Sequence, residues 1–260
     1  MERRDYCVRE EYKHLESALL AIPDAFAGSG RIIKRGRNEI RVMEVEGISL
    51  NVKSFKRPNF VNRFVYAYLR PSKARRSFLY ASKLLGLGIG TPDPVACIVY
   101  RGRGGVTRSF YISRQVPFDY EFRDLRSKRP AGMDELLRAF TRFTWEMHRN
   151  GIYFLDHSPG NTLIAREGDD FRFYLVDLNR MRFCRVSPRA GLRNFCRLNA
   201  DEEMIRVMAG EYARLTGSDA DAMTKRLSRW TKQHDDRVQR RRARRGIKKR
   251  ARGGVTPSVS

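Results

Sequence analysis

The hydrophobic pattern of this 260-residue chain is mainly of strand period in its first part and mainly helical from Gly132 on, and that contrast limits the folds open to it. In the first part, "RIIKRG", "NEIRVMEVEG" and "ISLNVKSFK" alternate apolar and polar residues and are separated by the turn-forming "KRGRN" and "EG". Together they predict an antiparallel meander of three strands. Ser72 then stands as an N-cap before Ala74, Phe78, Ala81, Leu84 and Leu85, whose helical spacing ends at Gly86 and Gly88. "VACIVY" and "RSFYISRQV" predict two more strands. From Gly132 the spacing becomes helical: Leu136, Ala139, Phe140, Phe143 and Met147 mark one face of a long helix, and Gly151 suits a left-handed cap. Within this half, "NTLIAR" and "FRFYLVDL" flank "EGDD" as a hairpin, and residues 200–234 are helical again. The expected class is α+β, a small antiparallel sheet followed by a mainly helical half.

Both ends differ from this pattern. "MERRDYCVREEYKHLESALLAI" mixes both charges before any apolar stretch, so it predicts an amphipathic helix rather than a secretory signal. Residues 1–29 are therefore expected to form a helical extension. At the other end, nine of the thirteen residues from Arg240 to Arg252 are Lys or Arg, followed by Gly, Pro and Ser. Residues 237–260 are expected to be a disordered basic tail. The full chain has 53 Lys and Arg against 29 Asp and Glu, a net charge of +24, which attracts polyanions. An anionic membrane surface is the expected partner of the tail, with nucleic acid as the other polyanion the charge would allow. Cys7, Cys97, Cys184 and Cys196 form no CxxC pair and suggest neither a zinc site nor a disulfide framework. No window approaches about 18 uninterrupted apolar residues, so no membrane-spanning helix is expected.

The chemistry concentrates between the long helix and the hairpin. "FLDHSPGNTLI" places Asp156 five residues before Asn161, and Asp177 follows the hairpin's second strand. Turn geometry alone often selects Asp, Pro, Gly and Asn, so the loop by itself is a weak signal. Order strengthens it. Lys53 lies on the third strand, then comes a helix, then Asp156, Asn161 and Asp177, which is the layout of a protein-kinase-like centre. Phosphoryl transfer needs a positioned hydroxyl and cations facing phosphate oxygens. In that layout Asp156 is the base, Lys53 contacts the phosphates of ATP, and Asn161 and Asp177 offer oxygen to Mg2+. "KRGRN" offers a single glycine, Gly36, to a phosphate-covering loop, and GxxxxGK[ST] is absent.

At these residues, together with "LVDLNRMRF" and "KARRSFLYASKLLGLGIGTPDPVA", the sequence resembles the lipopolysaccharide kinase family (Kdo/WaaP, InaA-like) over roughly residues 30–210. The resemblance implies a bilobal protein-kinase-like fold, with residues 30–116 as the sheet lobe and 117–236 as the helical lobe. It also implies ATP-dependent phosphorylation of an inner-core sugar hydroxyl, Kdo or heptose, at the inner face of the bacterial inner membrane. Carried over by position, Lys53 is nucleotide-binding, Asp156 catalytic, and Asn161 and Asp177 metal ligands. A protein or small-molecule kinase would share all of these residues, and a pseudokinase or basic adaptor is the reading from another class.

Three departures bear on catalysis. Phe154-Leu155 stands where His-Arg or His-Gly usually precedes the base, and Asp177-Leu178-Asn179 replaces Asp-Phe-Gly. No Asp or Glu occurs between Lys53 and Asp93, so the next helix has no acidic partner for the lysine; Ser77 or Leu79 stands there. His157 is expected to be an incidental turn residue, and His148 to suit the negative end of its helix. Lys56 is expected to be solvated, and Phe60, Phe64, Tyr66 and Tyr68 to pack as a cluster. Arg180 and Arg182 are candidates to face acidic groups of the substrate.

Overall fold

The computed structural model describes residues 2–36, 38–55, 71–103, 105–168 and 170–253, with side chains described through residue 244. Lys56 and the Phe60, Phe64, Tyr66 and Tyr68 cluster lie outside the described residues. The chain forms two compact units. The first comprises Met1–Tyr120, Phe154–Asp156 and Asn161–Arg182, and the second Glu121–Tyr153, His157–Gly160 and Phe183–Ser260.

The first unit is built on β1 (Arg3–Val8), β2 (Arg31–Lys34), β3 (Asn38–Val45), β4 (Ile48–Phe55), β5 (Pro94–Gly102) and β6 (Gly105–Arg114). They form one antiparallel sheet in the order β1-β5-β6-β4-β3-β2. The expected meander is present as β2-β3-β4. Its second turn is Glu46-Gly47, both at positive φ, and joins the pair Val45 and Ile48. Two such residues make a tight turn whose twist matches the strands on either side.

Helices cover both faces of the sheet. Leu50 and Val52 of β4 share a core with Ala96, Ile98, Phe110 and Ile112, sealed by Leu15, Leu19, Ile22 and Phe26 on and beside α1 (Glu16–Ala25). On the other face, Phe55, Cys97 and Val99 pack against Ala74 and Phe78 of α2 (Lys73–Gly86). The cap of α2 is the expected one, with the Arg75 N–H donating to the Ser72 hydroxyl at 3.2 Å. Because side chains alternate along a strand, Lys53 shares the α2 face with Phe55. The hairpin β7 (Thr162–Glu167) and β8 (Asp170–Leu175) completes this unit.

The N-terminus departs from expectation. Residues 3–8 are not helical but form the edge strand β1, paired with β5, and only residues 16–25 form an α-helix. The open edge of β5 supplies backbone partners for the strand, whereas a charged helix there would have only a weak apolar face to bury.

The second unit is helical, led by α3 (Met133–Arg149), α4 (Glu202–Thr216) and α5 (Ala220–Gly253). Gly151, at φ +71°, closes α3 as the sequence predicts. The tail expectation is corrected as far as residue 253, because α5 continues through the basic block instead of ending near Arg237. Arg, Gln, Ala and Lys are good helix formers, and a helix can propagate through them without burying a face. Met223, Leu227 and Trp230 anchor its first turns.

Candidate active site

The hairpin register brings two of the candidate residues together. Thr162 pairs with Leu175 at the open end of β7-β8, and the next rung is the Val176 N–H donating to the Asn161 carbonyl at 3.0 Å. Asn161 therefore lies opposite the residue before Asp177. The Asn161 side-chain amide donates to the Asp156 carbonyl at 2.8 Å, so the five-residue interval is a closed turn. A second backbone bond, from the Leu155 N–H to the Arg180 carbonyl at 3.0 Å, ties the Asp156 loop to the segment beyond Asp177. Across that link the Arg180 guanidinium lies 3.7 Å from the Asp156 carboxylate.

Asp177 faces the sheet lysine directly. Lys53 Nζ is 2.8 Å from Asp177 Oδ1, with the lysine side chain 10% exposed and the aspartate 33%. The ammonium also lies 5.3 Å from the centre of the Phe55 ring, a cation–π contact. Asp177 sits at φ +59°, a left-handed conformation that Asp tolerates better than most residues. Asn179, itself buried, donates to Asp177 Oδ1 at 2.5 Å and steadies the carboxylate. The end of β8, two residues before Asp177, is fixed to the segment leading into β5 by the Leu175 N–H bonded to the Gly90 carbonyl at 2.9 Å and by the Thr91 hydroxyl donating to the Leu175 carbonyl at 2.7 Å.

Lys53, Asp156, Asn161 and Asp177 thus belong to one unit and are linked by short contacts. Gly36 lies in the β2–β3 turn with open space around it, so a side chain there would meet nothing. The sterically required glycine is Gly30, at φ +79°, where a Cβ would come within 2.5 Å of the Val42 carbonyl. The helix that ordinarily supplies an acid to the lysine buries Arg76 and Ser77, and Leu79 is exposed. Lys53 takes its carboxylate from Asp177 instead. Sequence reasoning gave no role to Asn179, Gly90 or Thr91; the turn-rich "GIGTPDP" marks the place but not its partner 84 residues on.

The two histidines are corrected. His157 is fully buried, its ring 5.6 Å from Phe140 and 6.1 Å from Phe195, and not at a turn surface. His148 is also buried, within hydrogen-bonding distance of the Tyr212 hydroxyl and Asn194 Oδ1, each at 3.1 Å. Burial lowers His148 to about 4 and His157 to about 3, the latter helped by nearby His148 and Arg197. Both are neutral at pH 7, so His148 brings no charge to the helix end. An unfolded chain protonates both near pH 6.5, so below that pH it binds protons that the folded chain refuses. Stability should be fully present above about 6.5 and fall as the pH drops, by about 1.4 kcal/mol per pH unit for each histidine. Urea denaturation at pH 7 and pH 5 measures this slope, and His157→Phe should remove roughly half of it.

Comparison with known proteins places the chain in a family. Residues 60–226, well over half of the chain, match the model of the Lipopolysaccharide kinase (Kdo/WaaP) family. The chain belongs to that family. Asp156, Asn161 and Asp177 fall within the matched span, whereas Lys53 precedes it. A solved structure of WaaP in complex with acyl carrier protein superposes with a TM-score of 0.62 at 19% identity, over 90% of this chain and 99% of that one. At that identity the fold is what is shared. Looser likenesses are WbdD with the kinase inhibitor LY294002 (12% identity, 75% and 44% of the two chains, TM-score 0.44) and the PknI kinase domain of Mycobacterium tuberculosis (14%, 74% and 74%, 0.40). No curated protein sequence matches significantly. As a lipopolysaccharide kinase with an α+β, protein-kinase-like fold, the chain is a phosphotransferase acting on a hydroxyl. No described helix is long and apolar enough to cross a membrane.

Proposed function

We propose that this lipopolysaccharide kinase moves the terminal phosphoryl group of ATP to a sugar hydroxyl of the inner core, on Kdo or heptose. The observation that carries the proposal is the Lys53–Asp177 contact, joined through the hairpin rung and the Asn161 amide to Asp156. Asp156 orients the acceptor hydroxyl and takes its proton as the oxygen bonds to phosphorus and the bond to the leaving diphosphate breaks. Lys53 neutralises phosphate charge from a largely buried position, where an ammonium acts more strongly than in water.

The residues present suit a divalent cation. The Asn161 amide nitrogen is committed to the Asp156 carbonyl, which leaves its oxygen as the ligating end, and Asp177 Oδ2 forms no bond among the described residues. Two oxygen donors, with the rest of the shell left to water and phosphate, fit Mg2+. When bound, Mg2+ would neutralise charge developing on the phosphate oxygens. Arg180, exposed beside Asp156, offers a guanidinium to a carboxylate or phosphate on the acceptor. Purified lipid A–core incubated with enzyme, ATP and Mg2+ should gain the mass of one phosphate. ATP bound without turnover on any acceptor would instead make the chain a binding module.

The basic end of α5 supports association with an anionic membrane. Arg237, Arg240, Arg241, Arg242 and Arg244 are all exposed, and this stretch has no apolar face to insert. Adhesion would be electrostatic, about 1 kcal/mol for each basic residue near the surface. Truncation after Val238 should abolish most co-sedimentation with phosphatidylglycerol vesicles and leave turnover on soluble acceptor unchanged. Undiminished sedimentation would overturn the membrane role, and retained affinity for duplex DNA alone would assign the charge to nucleic acid.

A further inference from the structure

The second unit contains a cavity that the phosphotransfer chemistry does not use. It measures about 270 Å³, and its lining includes Trp145, His148 and Arg149 of α3, Arg185, and Tyr212 of α4. All of these residues belong to the same unit. The back wall is rigid, because buried His148 bonds to Tyr212, and Gly191 leaves room for the Tyr212 hydroxyl where a Cβ would come within 1.9 Å. The rim is also fixed. The Cys184 N–H donates to the Gly151 carbonyl at 2.7 Å, and at Gly151, which holds a positive φ, a Cβ would come within 3.3 Å of the Cys184 carbonyl. Arg185 follows directly from this clasp.

The electrostatics of the lining are one-sided. Two guanidiniums and a neutral imidazole contribute, and no Asp or Glu is among the lining residues. Arg149 lies 5.0 Å from the Trp145 ring centre and bonds to Glu146 at 3.0 Å, so part of its charge is met. Arg185 is exposed and has no ion pair among the described residues. An indole beside an uncommitted guanidinium suits a ligand with one anionic group on a compact ring whose C–H face can lie against the aromatic surface. The volume is at the small end for ligand sites, matching a single sugar ring better than an oligosaccharide or a nucleotide.

We infer that this cavity is a second sugar-recognition site, which binds a monosaccharide unit bearing a carboxylate or a phosphate through Arg185, with the ring against Trp145. The inference deepens the lipopolysaccharide-kinase reading and rests on it for the class of ligand. An acceptor that is a chain of charged sugars would then be held at a unit other than the one that is phosphorylated.

The test uses the full-length chain carrying Trp230→Phe, which leaves Trp145 as its single tryptophan. Glucuronate and glucose 6-phosphate are titrated against Trp145 fluorescence without nucleotide, with glucose and inorganic phosphate as controls. One or both anionic sugars should shift the emission saturably, and Arg185→Ala should weaken that binding by about tenfold or more. Whichever of the two binds more tightly identifies the anion. The proposal is overturned if neither binds, if glucose binds as well as they do, if inorganic phosphate matches glucose 6-phosphate, or if Arg185→Ala binds undiminished. Calorimetry with the parent chain checks that Trp230→Phe has not created or destroyed the site. Because no turnover is involved, failure here leaves the phosphotransfer proposal standing, and an inactive enzyme that still binds these sugars overturns only the latter.

Discussion

Replacing Asp156 by Asn should lower kcat by roughly 10²–10⁴-fold while leaving the KM for ATP nearly unchanged. The substitution keeps the side chain's size and removes its capacity to accept a proton, together with the negative charge facing Arg180. The loop should largely keep its shape, because two of its contacts run through backbone groups, the Asp156 carbonyl accepting from Asn161 and the Leu155 N–H bonding to Arg180, while the exposed Arg180–Asp156 ion pair is weakened. Steady-state kinetics with a lipid A–core acceptor, alongside a denaturation curve, separate the two effects. A variant of wild-type activity would remove Asp156 from the chemistry. A variant that lost activity only through a raised KM would make it a binding residue.

The second large effect concerns Asp177. Asp177→Asn should abolish most Mg2+-dependent turnover, since it weakens an oxygen ligand and removes a negative charge. Asn is the informative choice because it tolerates the left-handed backbone at this position, where most other residues would add strain of their own. The same change deprives Lys53, 10% exposed, of its carboxylate partner. Breaking a fully buried pair costs about 3–5 kcal/mol. With Asp177 one-third exposed, solvent screening should reduce the loss to about 1–2 kcal/mol. Adding Lys53→Met removes the stranded ammonium, so the double variant should recover stability and remain inactive. Urea denaturation of the four members of this cycle gives the coupling. Stability and activity recovering together would mean that the pair is structural and that neither residue serves phosphate or metal.

What the sequence made legible was local. The strands of the meander and the β7-β8 hairpin could be read because alternation and turn chemistry lie within a few residues of each other, and the caps at Ser72 and Gly151 announce themselves in the same way. The hairpin even explains the spacing of Asn161 and Asp177, because antiparallel pairing of its strands brings their flanking residues together. The partner of Lys53 was not legible. The helix after β4 lacks an acid, and the replacement depends on Thr91 and Gly90 gripping Leu175, contacts that no local pattern encodes. His157 was misread for a related reason: "HSPG" has the composition of an exposed turn, and only the aromatic rings of Phe140 and Phe195, supplied by other elements, bury it. At the N-terminus, helical periodicity that is real from Leu15 onward was extended backward over an edge strand whose residues are half polar and whose partner lies far along the chain.

That edge strand also sets an order of assembly. Cys7 pairs with Cys97, and the intervening chain contains the whole β2-β3-β4 meander. During synthesis, β1 has no partner until β5 emerges, while the meander can close through short turns. β1 is made before the meander yet seated after it, and α1 packs onto the sheet beside it.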